Sequence, residues 1–230
     1  MKLGVMLPTF RDQADDALVT AHDAEAAGLD GVFAFDHLWP MGSPTRPALA
    51  PFPVLAAVAT SAPTLTVGPL VARVGMFSTD KLLELFSTLS ALAPGRVIAA
   101  FGTGDELSKA EQLAYNLGYP TSDERRSLLR DVASELLLTT PVWIGAGAAK
   151  TNALARELGV TLNLWGAEPA RVRELAQEGP VSWAGPLGDD ARARLDDLAD
   201  AGATWAIASE SRRIDELKEW RQTHATHYGL

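Results

Sequence analysis

Residues 31–40 read GVFAFDHLWP, and they change from apolar to polar within one short segment. The first five are small, β-branched or aromatic, which is typical of a buried strand. Asp36 and His37 then follow side by side before Trp39 and Pro40 end the segment. Whether this carboxylate and imidazole serve structure or chemistry depends on the sheet that contains the strand.

Seven other apolar segments resemble this one, and segments with a helical pattern separate them. The eight predicted strands are residues 2–9, 31–37, 65–73, 96–104, 141–147, 160–165, 180–185 and 203–209. Between strands, apolar residues recur with a period near 3.6, as at Leu82, Leu85, Phe86 and Leu89. Glycines such as Gly95 stand where these helices end.

The unbroken alternation predicts parallel βαβ units, and the nearly continuous apolar strands predict burial on both faces. Eight such units that close on themselves form a (β/α)8 TIM barrel, usually of about 250 residues. The 230 residues here therefore predict short loops and a single α/β domain spanning residues 1–230. The alternative is a doubly wound open sheet.

The composition argues against several classes of protein. The net charge is −9 without a basic run, so we expect no nucleic-acid partner. The absence of cysteine excludes disulfides, thiolate nucleophiles and cysteine-bound zinc. The apolar start is too short for a signal segment, and no stretch approaches the ~20 apolar residues that span a bilayer. We expect a cytoplasmic protein without a membrane partner.

In barrels of this kind the functional groups lie on the loops after the strands, where Asp36 and His37 are placed. A carboxylate beside an imidazole can fix its tautomer or alter its pKa. Adjacent strand residues point to opposite faces, however, so a direct pair requires the chain to bend first. The alternative is a partly buried histidine whose ring nitrogens are satisfied by the protein.

Two later strands end in turns of small residues. Residues 101–105, FGTGD, contain glycines that would let a ligand approach the backbone, although Asp105 is also typical of a plain helix cap. Residues 145–148, GAGA, run into a helix, which suits an anionic phosphate or close packing of the helix on the sheet. Leu107 and Lys150 occupy glycine positions of the nucleotide-binding motifs, so neither motif is complete.

The third strand contains Pro69, which cannot donate to the hydrogen-bond ladder of a closed barrel. It predicts a bulge or an early break, and bulges cluster beside active sites.

The remaining histidines, His22, His224 and His227, have no nearby set of carboxylates. We therefore predict no metal site.

Six short motifs follow one another along the chain: FDH (35–37), GPLV (68–71), LSALAPGR (89–96), GTGD (102–105), LGYP (117–120) and PVWIG (141–145). Together they resemble the luciferase-like monooxygenase family, and within it the members that use the deazaflavin coenzyme F420. The resemblance spans residues 1–165 in consistent order, and the last third is similar in layout only. It implies a small-molecule oxidoreductase that binds F420, or alternatively FMN, across the barrel mouth.

The resemblance also implies roles for individual residues. His37 would handle a substrate proton, and Asp105 would stand where related dehydrogenases carry an acidic catalytic residue. Asp36 would contact the ring region, and a non-proline cis peptide at Leu70-Val71 would lie behind the ring. The residues implied to hold the phosphate and the ribityl chain are Thr103, Gly104, Ser108, Ala146, Gly147 and Ala148.

A homodimer is a further implication of the resemblance. Luciferase-like barrels pair through outer helices near strands two and three, and the apolar residues 54–59 would leave an exposed patch on a monomer.

Two departures from the family pattern leave the activity open. Family members are commonly longer, with an insertion and a C-terminal extension that cover the substrate. Ser108 stands where some relatives have an asparagine. The alternatives are therefore a flavin-binding protein without catalysis and an FMN-dependent monooxygenase supplied by a separate reductase.

Overall fold

The computed structural model describes residues 1–106 and 108–228, with side chains described through residue 224. Within these residues the chain forms nine strands and nine α-helices. The strands are β1 (Lys2–Met6), β2 (Gly31–Ala34), β3 (Thr66–Pro69), β4 (Ala72–Arg73), β5 (Ala99–Gly102), β6 (Val142–Gly145), β7 (Thr161–Trp165), β8 (Val181–Gly185) and β9 (Trp205–Ala208). The helices are α1 (Asp15–Ala26), α2 (Pro51–Ser61), α3 (Thr79–Leu92), α4 (Lys109–Ala114), α5 (Ser122–Leu136), α6 (Ala149–Glu157), α7 (Pro169–Ala176), α8 (Ala191–Asp200) and α9 (Ile214–Tyr228), with a 3-10 turn at Ser211–Arg213.

The strands form one parallel sheet that closes into a barrel. The order is β3-β2-β1-β9-β8-β7-β6-β5-β4, in which β3 and β4 are two pieces of the third predicted strand. Val67 closes the ring, because its N–H donates to the carbonyl of Arg96 and its carbonyl accepts from the N–H of Ile98 at 2.8 and 3.0 Å. The predicted (β/α)8 barrel is confirmed, and the doubly wound open sheet is wrong.

The third strand breaks where the sequence predicts. Pro69 is the last residue of β3, and the peptide bond between Leu70 and Val71 is cis, as the family resemblance implied. Gly68 is required at the closure, because a Cβ there would lie 2.3 Å from the carbonyl oxygen of Ile98. Beyond the break, β4 pairs with β5.

Large aromatic side chains fill the inside of the barrel. The ring of Phe33 stacks on Trp143 at 5.6 Å and meets the edge of Trp205 at 5.7 Å. Met6 and Ile207 are buried in the same cluster. Because this plug occupies the interior, a ligand has room only at the mouth of the barrel.

The second helix corrects one expectation. The apolar residues 54–59 do not form an exposed patch, because Val54, Leu55, Val58 and Ala59 are buried in the layer between α2 and the sheet. Their expected surface role is wrong, and the homodimer itself stays a prediction.

None of the described helices is long and apolar enough to cross a membrane. Within the described residues, no group of three or more His, Asp or Glu side chains is placed to hold a metal ion.

Candidate active site

A cavity of about 730 Å³ opens at the mouth of the barrel, where the strands end. It brings together most of the residues that the sequence identified. These are His37, Leu70, Val71, Thr103, Gly104, Asp105, Ser108, Ala146, Gly147 and Ala148. The lining also contains side chains that the sequence analysis missed, among them Phe10, Phe35, Met41, Arg73, Ser122, Arg125, Arg126, Thr151, Asn163 and Trp165.

His37 borders this cavity with about a quarter of its side chain exposed. Strand β2 ends at Ala34, so Asp36 and His37 lie in the following loop and are free of the alternation of strand faces. The Nδ1 atom of His37 lies 2.8 Å from Oε1 of Glu111. No described residue hydrogen-bonds its Nε2, which is therefore the nitrogen available to a ligand.

Glu111 of α4 fixes the position of the His37 ring through this contact with Nδ1. Its carboxylate is almost fully buried, and Oε2 accepts hydrogen bonds of 2.8 Å from the N–H of Leu38 and from Nη2 of Arg73. Burial raises the pKa of Glu111, but the hydrogen bonds from His37 and Leu38 and the charge of Arg73 together lower it below its ordinary value. Glu111 is thus ionised at neutral pH.

Asp36 turns away from this pair. It is buried, and it is not among the described residues that line the cavity. Its Oδ2 accepts a hydrogen bond of 2.8 Å from the backbone N–H of Arg73. Burial raises the pKa of Asp36, and the charge of Arg73 offsets only part of the rise. Asp36 joins the loop after β2 to β4, and its contact with a cofactor ring stays a prediction.

The loop after β5 is tied to the start of α4. The carboxylate of Asp105 accepts from the N–H of Ser108 at 2.9 Å, which is a local capping bond. The hydroxyl of Ser108 bonds the backbone N–H and carbonyl of Asp105, also at 2.9 Å. Gly104 has a positive φ of 68°, which favours glycine in this turn. Asp105 is exposed at the cavity, so its carboxylate can both cap the turn and face a ligand.

The loop after β6 leads directly into α6. The N–H of Ala146 donates to the carbonyl of Asn163 at 2.7 Å, and the N–H of Gly147 donates to Oδ1 of Asn152 at 3.0 Å. Ala148 precedes the helix and provides no side-chain cap. The positive end of the helix dipole therefore faces the cavity through a chain of small residues.

Arginines from α5 lie at the same cavity. Arg125 is buried, with its guanidinium 4.2 Å from the ring centre of Tyr119 and Nη1 donating to the carbonyl of Pro120 at 2.6 Å. Its Nε has no hydrogen-bond partner among the described residues. Arg126 pairs with Asp123 at the edge. The sequence analysis did not identify these arginines as site residues, because nothing in their spacing along α5 distinguishes them from other polar residues of a helix.

Aromatic rings form another part of the wall. Phe35 stacks on Phe10 with ring centres 5.2 Å apart and meets the ring of Trp165 at 5.6 Å. Trp165 is half exposed at the rim. A smaller cavity of about 240 Å³ adjoins the main one and shares Phe10 and Phe35. The ring centre of Phe10 lies 6.5 Å from that of His37, so this apolar wall reaches the histidine, whereas Arg125 and Arg126 lie on α5.

The chain matches a known family. The family model for luciferase-like monooxygenases matches residues 1–137. The chain belongs to the luciferase-like monooxygenase family. The chain is also 29% identical over 210 residues to an F420-dependent hydroxymycolic acid dehydrogenase of Mycobacterium tuberculosis, covering 90% of this chain and 56% of that protein.

Another relative is an F420-dependent glucose-6-phosphate dehydrogenase of Intrasporangium calvum, which is 31% identical over 171 residues, covering 72% of this chain and 49% of that protein. A second protein of that name, from Beutenbergia cavernae, is 30% identical over 146 residues, covering 63% of this chain and 42% of that protein. The chain spans about half the length of these relatives.

Solved structures share the luciferase-like fold. An F420-dependent secondary alcohol dehydrogenase in complex with an F420-acetone adduct has a TM-score of 0.79 at 13% identity, covering 95% of this chain and 97% of that one. A coenzyme F420-dependent tetrahydromethanopterin reductase from Methanopyrus kandleri has a TM-score of 0.74 at 12% identity, covering 97% and 99%. At these identities the likeness concerns the fold alone.

Proposed function

We propose that this protein is an oxidoreductase that transfers a hydride between coenzyme F420 and a small organic substrate. The observation that carries the proposal is that one cavity contains His37 together with the small-residue loops after β5 and β6. The relatives named above, which are similar over much of this chain, are F420-dependent dehydrogenases. The substrates in the names of these relatives differ, and what they share is the cofactor F420.

The cavity fits a cofactor that carries a phosphate. Its volume of about 730 Å³ lies within the range of roughly 300–1,000 Å³ that small-molecule and cofactor sites occupy. A Cβ at Gly147 would meet no atom within 4 Å, so the backbone there is open to a ligand. A phosphate would be stabilised by the adjacent N-terminus of α6, with Thr103, Ser108, Ala146 and Ala148 around it.

The arginines of α5 favour F420 over FMN. Beyond its phosphate, F420 carries glutamate carboxylates, whereas FMN ends at the phosphate. Arg125 and Arg126 both line the cavity, so two guanidinium groups lie within reach of an anionic ligand there. Charged hydrogen bonds from guanidinium groups to carboxylates are among the stronger ones in proteins. These residues would hold the anionic tail.

The protein's own groups would supply binding and proton transfer. When bound, the deazaflavin supplies the acceptor or donor of a hydride. His37 offers Nε2 to a substrate proton at the cavity surface. Phe10, Phe35 and Trp165 present apolar surface beside His37, which excludes water from a substrate there. The catalytic role of Asp105 stays a prediction.

A fluorescence titration with F420, followed by the same titration with FMN, tests the cofactor assignment. We expect F420 to bind at least about tenfold more tightly than FMN, a difference of about 1.4 kcal/mol. Tighter binding of FMN would favour the monooxygenase. F420 binding without turnover of a panel of alcohols and ketones would favour a flavin-binding protein without catalysis.

We also propose that the protein forms a homodimer and is located in the cytoplasm. The homodimer rests on the family resemblance, since residues 54–59 are largely buried within one chain. Sedimentation equilibrium at micromolar concentration measures the oligomeric state directly, and a pure monomer would contradict the dimer. The location rests on composition, above all on the absence of cysteine.

A further inference from the structure

One of the two carboxylate oxygens of Glu111 contacts only groups that can donate a hydrogen bond. Oε2 accepts from the backbone N–H of Leu38 and from Nη2 of Arg73, each at 2.8 Å. A backbone N–H and a guanidinium can only donate. Oε1 lies 2.8 Å from Nδ1 of His37, which can donate or accept according to its tautomer.

These contacts determine where the imidazole proton lies. A carboxylate that already receives two donors, one of them a guanidinium, is an acceptor at its other oxygen as well. Nδ1 of His37 must then carry the hydrogen, and in a neutral imidazole the lone pair is on Nε2. The buried side chain of Arg73, only 4% exposed, holds the carboxylate in this orientation.

We propose that Glu111, anchored by Arg73, is a positioning residue that fixes the tautomer of His37 and makes Nε2 the proton acceptor for a hydroxyl group of the substrate. The chemical role rests on the proposed function, whereas the tautomer does not. The substrate class that fits is an alcohol in one direction and the corresponding carbonyl compound in the other.

The proton balance is simple. In the direction of alcohol oxidation, the substrate O–H bond breaks and an Nε2–H bond forms on His37. The carbon that bears this hydroxyl group would give up its hydride to the bound cofactor, which leaves a carbonyl group. His37 becomes an imidazolium ion, which the carboxylate of Glu111 stabilises through Nδ1. In the reverse direction Nε2 returns the proton to the carbonyl oxygen.

The substitution Glu111→Gln gives a sharp test because it reverses the polarity of the contact. Leu38 and Arg73 still need an acceptor, so they hold the amide oxygen at the former Oε2 position. The amide NH2 group then faces His37 and donates to Nδ1, which places the ring hydrogen on Nε2. With its lone pair on Nδ1 instead of Nε2, His37 cannot accept the substrate proton.

The tautomer is measured by ¹⁵N NMR of the histidine-labelled protein without cofactor, at a pH where the ring is neutral. The His37 signal is the one that disappears in His37→Gln. We expect Nδ1 to be protonated in the unmodified chain and Nε2 to be protonated in Glu111→Gln. The exposed Glu135→Gln on α5 serves as the control and leaves the spectrum of His37 unchanged.

Kinetics provide the second measurement. We expect Glu111→Gln to lower kcat by ~10²-fold or more, with KM and the affinity for F420 nearly unchanged. A purely structural role would lower stability without moving the tautomer. An Nε2-protonated His37 in the unmodified chain would overturn the proposal, even if Glu111→Gln did not fold. If Nδ1 is protonated in the unmodified chain but no F420-dependent turnover is found, only the proposed function is overturned.

Discussion

The buried carboxylate of Asp36 accepts a hydrogen bond of 2.8 Å from the backbone N–H of Arg73, and this contact holds the loop after β2 against β4. Because burial raises the pKa of Asp36 above its ordinary value of 3.8, the folded state binds this proton more tightly than the unfolded state. Its favourable contribution is therefore complete below pH 3.8 and is lost as the pH rises through the raised pKa.

The substitution Asp36→Asn keeps an oxygen acceptor for Arg73 and removes the ionisation. We expect the free energy of unfolding of Asp36→Asn, relative to the unmodified chain, to increase as the pH rises from about 4 to 7. Urea denaturation across this range measures the difference, and Asp189→Asn gives the background for loss of an exposed carboxylate. A difference that is constant with pH would contradict this assignment.

His37 can be tested with two substitutions that separate its nitrogens. His37→Ala removes both, whereas His37→Asn keeps an N–H group near the position of Nδ1 for Glu111 and removes Nε2. We expect both to lower turnover by ~10²-fold or more, typical of general acid–base groups, with F420 affinity nearly intact. His22→Ala on the exposed side of α1 is the control. Full activity in His37→Asn would show that Nε2 is not the reacting atom.

The fold was predictable because its signals are local. Most strands are short, largely apolar segments, and Pro69 alone indicates the break between β3 and β4. Several strands, β2 among them, end earlier than predicted, because apolar residues such as Phe35 continue into the loops that form the cavity wall. Phe35 packs on Phe10 at the cavity wall and not in the ladder.

The site was predictable only in part, because its decisive contacts join residues distant in sequence. His37 and Asp105 follow strands, and that position indicates function. Glu111 lies 74 residues from His37 in the chain, on a short helix without a distinctive pattern. The available signal was Arg73, a charge inside an apolar strand, since a buried guanidinium requires a carboxylate partner. That reasoning indicates that a partner exists but does not identify it.

The barrel closure at Gly68 gives a prediction about stability. A Cβ at this position would lie 2.3 Å from the carbonyl oxygen of Ile98, a backbone atom that cannot rotate away. We expect Gly68→Ala to lower the free energy of unfolding by about 1–3 kcal/mol or more, as for other overpacked positions. Gly118→Ala is the matched control, because a Cβ there meets nothing within 4 Å. Equal midpoints of urea denaturation for the two variants would show that β3 can move away at little cost.

Gly147 offers a test of ligand position that leaves the fold intact. A Cβ here contacts no described atom within 4 Å, and the residue lines the cavity next to the N-terminus of α6. Gly147→Ala should therefore fold as stably as the unmodified chain, while the added methyl group occupies space that the cofactor needs. We expect the Kd for F420 to rise by roughly tenfold, or about 1.4 kcal/mol, with kcat at saturating F420 nearly unchanged. Gly118→Ala lies outside the cavity lining and should leave the Kd unaltered. An unchanged Kd in Gly147→Ala would show that the cofactor does not contact the loop after β6. The added methyl group contacts no protein atom, so it can affect binding only by occupying space that the cofactor needs.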